Sequence, residues 1–382
     1  MDTLKVNAVI DEYIKNFAKL NDEANDNEGY KWVATGCFKK YWNLDAEDML
    51  EMFNKAMKEM SNLIDNSQVQ PLSGIRLLLS QPSEVDFVRE SFRTLFADDG
   101  GDINARQKRV DDFVEKVNER IALYSPEGSW KNNQNRTSVL YYLNLEKPDE
   151  NYIFKATEAN DWANCAEFGE DIGSGASFSL AKYYRMCDEL LDVVNNNPKL
   201  KKLNDKRVKE KFEKPDVSEF DDKNHILVYD IMYCAYHYLF YDKAAVTKKT
   251  TKERLRRAAL RKETEELASA IKEKEIAYDA LDNEQPLPDI TGSEITHKTF
   301  GKGNVVGVEG ENICIDFNGT VKKFGYVFSF EKGFLSIDKD GFADLIKNIA
   351  LNKEKRTIVE NELKTMKNKH SALMEQLEEI TN

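Results

Sequence analysis

A heptad repeat near the C-terminus is the feature that most limits how this chain can fold. Over about 40 residues, mainly apolar side chains recur at spacings that alternate between four and three. The positions are Leu345, Ile349, Asn352, Arg356, Val359, Leu363, Met366, His370, Leu373, Leu377 and Ile380. Such a stripe lies on one helix face and needs another helix to cover it, so the pattern predicts a heptad helix over 341–382. Its polar members either set register and partner choice or are solvated.

A second, weaker stripe precedes the first one in the chain. It consists of Leu260, Leu267, Ile271, Tyr278 and Leu281. We predict a basic helix over 243–285 that forms the first half of a long antiparallel coiled-coil arm, roughly 50 Å long at about 1.5 Å per residue. Pairing between chains is the alternative, and it would give a homodimer through the C-terminal heptad helix.

The segment between the two helices has a different pattern. Short runs such as NVVGV, NICIDF and TVKKF alternate apolar and polar residues and are separated by the turns EGEN and FNGT. This pattern predicts five short strands in a small SH3-like or Tudor-like β barrel over 291–338, inserted between the arm helices.

The N-terminal part, 1–241, reads as a helical globular recognition domain. Apolar residues at helical spacing, for example in VNAVIDEYIKNF, predict buried helix faces. A methionine-rich stripe over 49–60 is interpreted as core, with a ligand groove as the alternative. The fold class expected for the whole chain is therefore mainly α, with the barrel as its β component.

Several chemistries are excluded by the residue inventory. Five cysteines form no CxxC pair, four histidines form no HExxH motif, and the P-loop pattern is absent. We therefore predict no metal, cofactor or catalytic residue. The chain has no apolar run of about 18 residues, and its start lacks the layout of a signal peptide, which favours a cytoplasmic protein without a membrane partner.

A basic block stands out on a chain of 382 residues with a net charge of −13. Between Lys243 and Lys262, nine basic residues accompany a single acid, Glu253. Closely spaced cations on a helix match a phosphate backbone, so the block predicts contact with DNA or RNA. The candidate contacts are Lys248, Lys249, Lys252, Arg254, Arg256, Arg257, Arg261 and Lys262. The alternative is an exposed helix face that pairs with acidic residues of the same protein.

The predicted barrel carries a recognisable motif. ITHKTFGKGNVVGV followed by ICIDFNGTVKKF resembles the Tudor-like module at the C-terminus of UvrD/PcrA-type helicases. The similarity rests on His297, Phe300, Gly301, Gly303, Val305, Phe317, Gly319 and Lys323. It implies a module that contacts protein or nucleic acid. His297 and Phe300 are either fold determinants or binding residues.

The N-terminal region resembles the variable N-terminal region of McrB-like AAA restriction and defence proteins, although the AAA motor is missing. The similarity is carried by Tyr30, Lys31, Trp32, Phe38, Trp42, Arg136, Pro148, Tyr152 and Lys155. It implies a recognition or adaptor part of a prokaryotic defence protein. A base-binding pocket needs aromatic residues with a polar rim, which Trp32, Trp42, Arg136, Tyr152 and Lys155 could supply. The alternative places these aromatic residues in an ordinary helical core.

Together these features predict a non-catalytic prokaryotic defence or mobile-element protein. It would bind nucleic acid, a partner protein such as a separately encoded motor or nuclease, or both, through the basic helix and the barrel. A structural adaptor without nucleic acid is one alternative. A divergent metal-dependent nuclease using Asp316, Lys322 and Lys323 is another, although their spacing does not match the known nuclease motif.

Overall fold

A computed structural model describes residues 1–22, 28–211, 221–246, 249–281 and 286–381 of the chain. The chain divides into two compact units, Met1–Ala258 and Ala259–Asn382. The first unit is helical, and the second combines helices with a small antiparallel sheet. The prediction of a mainly helical protein with a small β region near the C-terminus is confirmed. The four-part division of the chain stays a prediction.

Short and medium-length helices build the first unit. They are α1 (Thr3–Asn16), α2 (Tyr30–Tyr41), α3 (Met49–Ala56), α4 (Ser61–Ile64), α5 (Pro71–Leu79), α6 (Val85–Leu95), α7 (Ile103–Ala122), α8 (Arg136–Glu146), α9 (Ala156–Cys165), α10 (Leu180–Asn195), α11 (Pro198–Lys211), α12 (His225–His237) and α13 (Phe240–Lys243). Short 3₁₀ turns lie at Pro82–Glu84 and Gly175–Ser177. The next helix, α14 (Thr251–Ala280), begins in this unit.

The core of the first unit follows the predicted helix faces. Helix α1 starts at Asp2, whose carboxylate accepts hydrogen bonds from the Leu4 and Lys5 amides, and it buries the face that carries Val6 and Ile10. The methionine-rich stripe is buried, as its core interpretation expects. Helix α12 is buried over most of its surface and packs against α1, α9, α10 and α13. An all-round apolar helix is stable only in this central position.

The second unit contains a five-stranded antiparallel sheet in the order β4-β3-β2-β1-β5. Its elements are β1 (Glu294–His297), β2 (Gly301–Glu309), β3 (Asn312–Phe317), β4 (Thr320–Gly325), α15 (Tyr326–Glu331), β5 (Leu335–Ser336) and α16 (Phe342–Thr381). One face of the sheet carries Val305 and Ile315, which pack in one cluster with Phe342 and Ile346 of α16. This small cluster is the core of the β region.

Helices α14 and α16 contact each other within the second unit. Lys369 pairs with Glu263 at 2.8 Å, and Lys367 pairs with Glu275 at 2.6 Å. The Arg356 guanidinium lies 5.0 Å from the Tyr278 ring centroid. In these three contacts the residue number increases along α14 from Glu263 to Tyr278, while the residue number of the partner on α16 decreases from Lys369 to Arg356. Every predicted heptad position on α16 except Asn352 is buried or half-buried.

The cysteines lie mostly in the protein interior. Cys165, Cys187, Cys234 and Cys314 are buried, whereas Cys37 is half-buried. Within the described parts of the chain, none of the helices is both long enough and apolar enough to cross a membrane.

Candidate nucleic-acid interface

Arg254 is an internal anchor of the basic block. Its side chain is 2% exposed. The guanidinium donates to the carbonyl oxygens of Phe168 and of Glu170, the latter at 2.6 Å, and to Asn164 Oδ1 at 3.2 Å. These acceptors lie at and just beyond the C-terminal end of α9, where a cation is electrostatically favoured. Arg254 therefore fixes the start of α14 on the first unit.

Arg257 is a second anchor, one turn further along α14. It is buried, and its Nη1 lies 2.7 Å from Glu167 Oε1. The same carboxylate oxygen lies 2.5 Å from Lys5 Nζ. Two of the eight candidate phosphate contacts thus bond to groups inside the first unit, Arg254 to uncharged oxygens and Arg257 to a carboxylate. Arg254 and Arg257 therefore do not belong to the candidate surface, because a buried guanidinium that bonds inside the protein cannot reach a phosphate.

Two other cations of the block, Lys252 and Arg256, lie on the face of α14 opposite this anchor. Lys252 and Arg256 are exposed at i and i+4, and Lys249 is half-buried. None of these three forms an ion pair with a described residue. Further along α14, Arg261 is half-buried, and Lys262 is exposed and lies 3.8 Å from Glu266. Lys248 lies outside the described residues.

The predicted barrel motif forms an aromatic cluster at one end of the sheet. The His297 ring lies 4.7 Å from Phe300 and 4.8 Å from Phe324, while Phe317 lies 5.6 Å from Phe300, all between ring centroids. His297 Nδ1 accepts hydrogen bonds from the Thr299 amide at 2.9 Å and the Phe300 amide at 3.2 Å. His297 thereby holds the turn that presents Phe300, which is 45% exposed. Phe324 was not predicted as a member of this cluster, although the alternation along TVKKF indicates that its side chain points to one face of a strand.

Gly301 and Gly303 of the motif are each required at this end of the sheet, but for different physical reasons. Gly301 has a φ of +73°, which favours glycine. Gly303 leaves room for Phe317, because a Cβ there would lie 2.7 Å from the ring. Lys323 does not join this cluster. It neighbours Phe324 on an antiparallel strand, so it lies on the opposite face, where it pairs with Glu309.

Each of the five residues of the predicted recognition pocket has its own partners outside the set. Trp32 Nε1 donates to Asp221 at 3.2 Å, Trp42 stacks on Phe38 at 4.7 Å, and Arg136 pairs with Asp111 at 2.7 Å.

The other two have further partners of their own. Tyr152 donates to Asp188 at 2.7 Å and stacks on His225. The Lys155 ammonium lies 5.6 Å from the Tyr233 ring centroid, and burial lowers its pKa. Among the described residues, no hydrogen bond, ion pair or ring contact joins two of the five. The core interpretation fits Trp32 and Tyr152, which are both 1% exposed.

A buried charge cluster in the first unit was not predicted. Asp230 is fully buried and accepts from Lys31 Nζ at 2.7 Å, Arg207 Nη1 at 3.0 Å and the Tyr13 hydroxyl at 2.5 Å. Burial opposes ionisation of Asp230, but the Lys31 and Arg207 cations hold its pKa below the ordinary value. The cluster joins α1, α2, α11 and α12.

Potential metal-binding side chains are already used in this cluster. Glu28, Asp230 and Cys234 could supply one ligand atom each. The Lys31 ammonium is bonded to both Glu28 and Asp230, so it supplies the positive charge between these two carboxylates. This arrangement fits structural pairing.

The nuclease alternative gains no support from the sheet. Asp316 Oδ1 accepts the Gly319 amide hydrogen bond at 2.8 Å and so closes the β3–β4 turn. Lys322 and Lys323 are consecutive residues of β4 and point to opposite faces. A single metal centre would need all three side chains to converge.

Comparisons with protein-family models, with curated proteins and with solved structures find no match to this chain. Both resemblances, to McrB-like defence proteins and to the UvrD/PcrA-type module, therefore stay predictions.

Proposed function

We propose that this protein binds nucleic acid through the outward cations of the first turns of α14. The observation that carries the proposal is that some cations of the basic block are buried and others are exposed. Arg254 and Arg257 point inward and anchor the helix, whereas Lys252 and Arg256 remain exposed without a carboxylate partner among the described residues. Unpaired cations at helical spacing gain most from a phosphate backbone.

The aromatic end of the sheet supplies a second contact of matching chemistry. The Lys322 ammonium lies 4.5 Å from the centroid of the exposed Phe300 ring. Nearby in the chain, the Lys298 ammonium lies 5.7 Å from the Phe334 centroid, and Phe334 is 43% exposed. Exposed rings interleaved with lysines suit single strands, whose bases stack while their phosphates meet the cations.

The remaining parts of the proposal concern assembly and biological role. Helices α14 and α16 form an antiparallel coiled-coil arm within one chain, with the barrel inserted between them; the pairs that join Lys369 to Glu263 and Lys367 to Glu275 support this. The first unit recognises the target. The similarity to McrB-like proteins supports a prokaryotic defence or mobile-element role, in the cytoplasm and with a separately encoded partner protein.

The test is fluorescence anisotropy of labelled single-stranded and duplex DNA with the full chain, titrated with salt. Lys249, Lys252 and Arg256 are all changed to Gln. The matched control changes three exposed lysines of the same unit, Lys58, Lys108 and Lys116, to Gln. We expect the α14 variant to bind at least tenfold more weakly and with a flatter salt dependence, and the control to stay within twofold.

A structural adaptor is the second candidate, and the inward arginines favour it. Arg254 and Arg257 show that part of the basic block bonds to groups of the same protein. If the wild-type protein binds neither DNA at low salt, the nucleic-acid proposal fails and the adaptor stands. Its partner would then be sought by crosslinking from the exposed α14 face.

A further inference from the structure

Helix α11 carries a lysine stripe that the sequence pattern alone did not reveal. Lys199, Lys202, Lys206 and Lys209 are all exposed and are spaced by three, four and three residues. This spacing places them on one face of the helix. At about 1.5 Å per residue, the stripe extends over about 15 Å.

The opposite face of α11 fixes the direction of the stripe. Leu200, Asn204 and Arg207 are buried. The Arg207 guanidinium bonds to Asp230 at 3.0 Å and to the Tyr13 hydroxyl at 3.1 Å, so the helix is tied to the buried charge cluster. The lysines are therefore presented by a helix that cannot rotate without breaking a buried ion pair and a buried hydrogen bond.

Few carboxylates in the described part of the chain compensate the charges of the stripe. Among the described residues, Lys206 has an ion pair, with Glu210 at 3.5 Å, whereas Lys199, Lys202 and Lys209 have none. Like charges at these spacings destabilise a helix. Acidic and basic residues alternate along an exposed helix face that is held by its own salt bridges. Instead, α11 carries seven basic and two acidic residues on a chain with a net charge of −13.

We propose that the α11 stripe binds the phosphate backbone of nucleic acid, as a contact separate from α14. Regularly spaced ammonium groups fit a regularly spaced polyanion, and lysine meets phosphate as a point charge without reading the base. The inference rests on the proposed function only in taking nucleic acid as the ligand. It predicts affinity without sequence preference.

The test uses the full chain and a labelled mixed-sequence 20-base-pair duplex. One variant changes the four stripe lysines to Gln, which keeps helix propensity, and the control changes Lys40, Lys58, Lys108 and Lys116 to Gln. We expect the stripe variant to bind at least tenfold more weakly. The slope of log affinity against log salt should become shallower by about 3.6, since each of the four lost phosphate contacts removes about 0.9.

The outcomes separate this inference from the α14 proposal. Equal binding by the stripe variant and its control overturns the inference, even if the α14 variant loses affinity. Loss in the stripe variant alone supports the inference and overturns the α14 contact. Absence of binding by the wild-type protein overturns both. Circular dichroism and melting of each variant check that the fold is retained.

Discussion

The two units use charged side chains in opposite ways. The first unit buries them in paired clusters, as Asp230 with Lys31 and Arg207 shows. The second unit keeps an apolar core and places ion pairs such as Lys323–Glu309 on its surface. Buried pairs are costly to break, whereas surface pairs contribute little. The density of cations in a sequence therefore says less about their role than their burial does.

The largest expected effect comes from removing the central carboxylate of the first unit. Asp230→Asn leaves the Lys31 and Arg207 cations buried without their counter-charge. We expect the free energy of unfolding of this unit to fall by about 3–5 kcal/mol. Because all four tryptophans belong to the first unit, urea unfolding followed by tryptophan fluorescence measures it directly.

The matched control is Asp192→Asn on the exposed side of α10. It should change the unfolding free energy by less than about 0.5 kcal/mol. An Asp230→Asn protein as stable as this control would contradict the view that buried pairing holds the first unit together.

Acid should weaken the first unit through His225. Burial lowers the pKa of this histidine to about 4, with Asp149 opposing the shift. Because the unfolded value lies near 6.5, the neutral side chain stabilises the fold above about pH 6.5, and this stabilisation is lost as pH falls towards 4. Between pH 7.5 and 5 the loss is about 2 kcal/mol.

Urea unfolding of wild type and His225→Gln at both pH values tests this expectation. The pH-dependent part assigned to His225 should disappear in the variant, while His370→Gln, in the second unit, should keep it. A pH dependence identical in wild type and His225→Gln would show that other groups cause the acid sensitivity.

Periodicity explains what could be predicted from the sequence. The alternation of NICIDF and the heptad spacing of α16 are local periodic patterns, so the strands and this helix could be predicted from them. The buried ion pairs of Asp230 could not be predicted from the sequence, because its partners Lys31 and Arg207 are distant in the chain and no local pattern links them to it. Likewise, the direction of the lysine stripe on α11 becomes visible only once Leu200, Asn204 and Arg207 are seen to be buried.

In the second unit the sharpest test is steric. Gly303→Ala places a Cβ 2.7 Å from the Phe317 ring and 2.8 Å from the Asp316 carbonyl oxygen. Displacing them should cost about 1–3 kcal/mol. Gly307→Ala on the same strand is the control, since a Cβ there meets nothing within 4 Å. Hydrogen–deuterium exchange of the strand peptides should show faster exchange in Gly303→Ala alone; similar exchange in both variants would remove the steric role of Gly303.

The smallest effect is expected from the surface pairs between α14 and α16. Lys369→Gln breaks the pair with Glu263, in which both side chains are about half-exposed. Exposed pairs are screened by water and salt, so the loss should stay below about 0.5 kcal/mol and should vanish at high salt. Hydrogen–deuterium exchange along α16, compared with Lys364→Gln on an exposed position of the same helix, provides the measurement. A salt-sensitive loss above about 1 kcal/mol would mean that the second unit also depends on its charges, and the contrast between the two units would no longer hold.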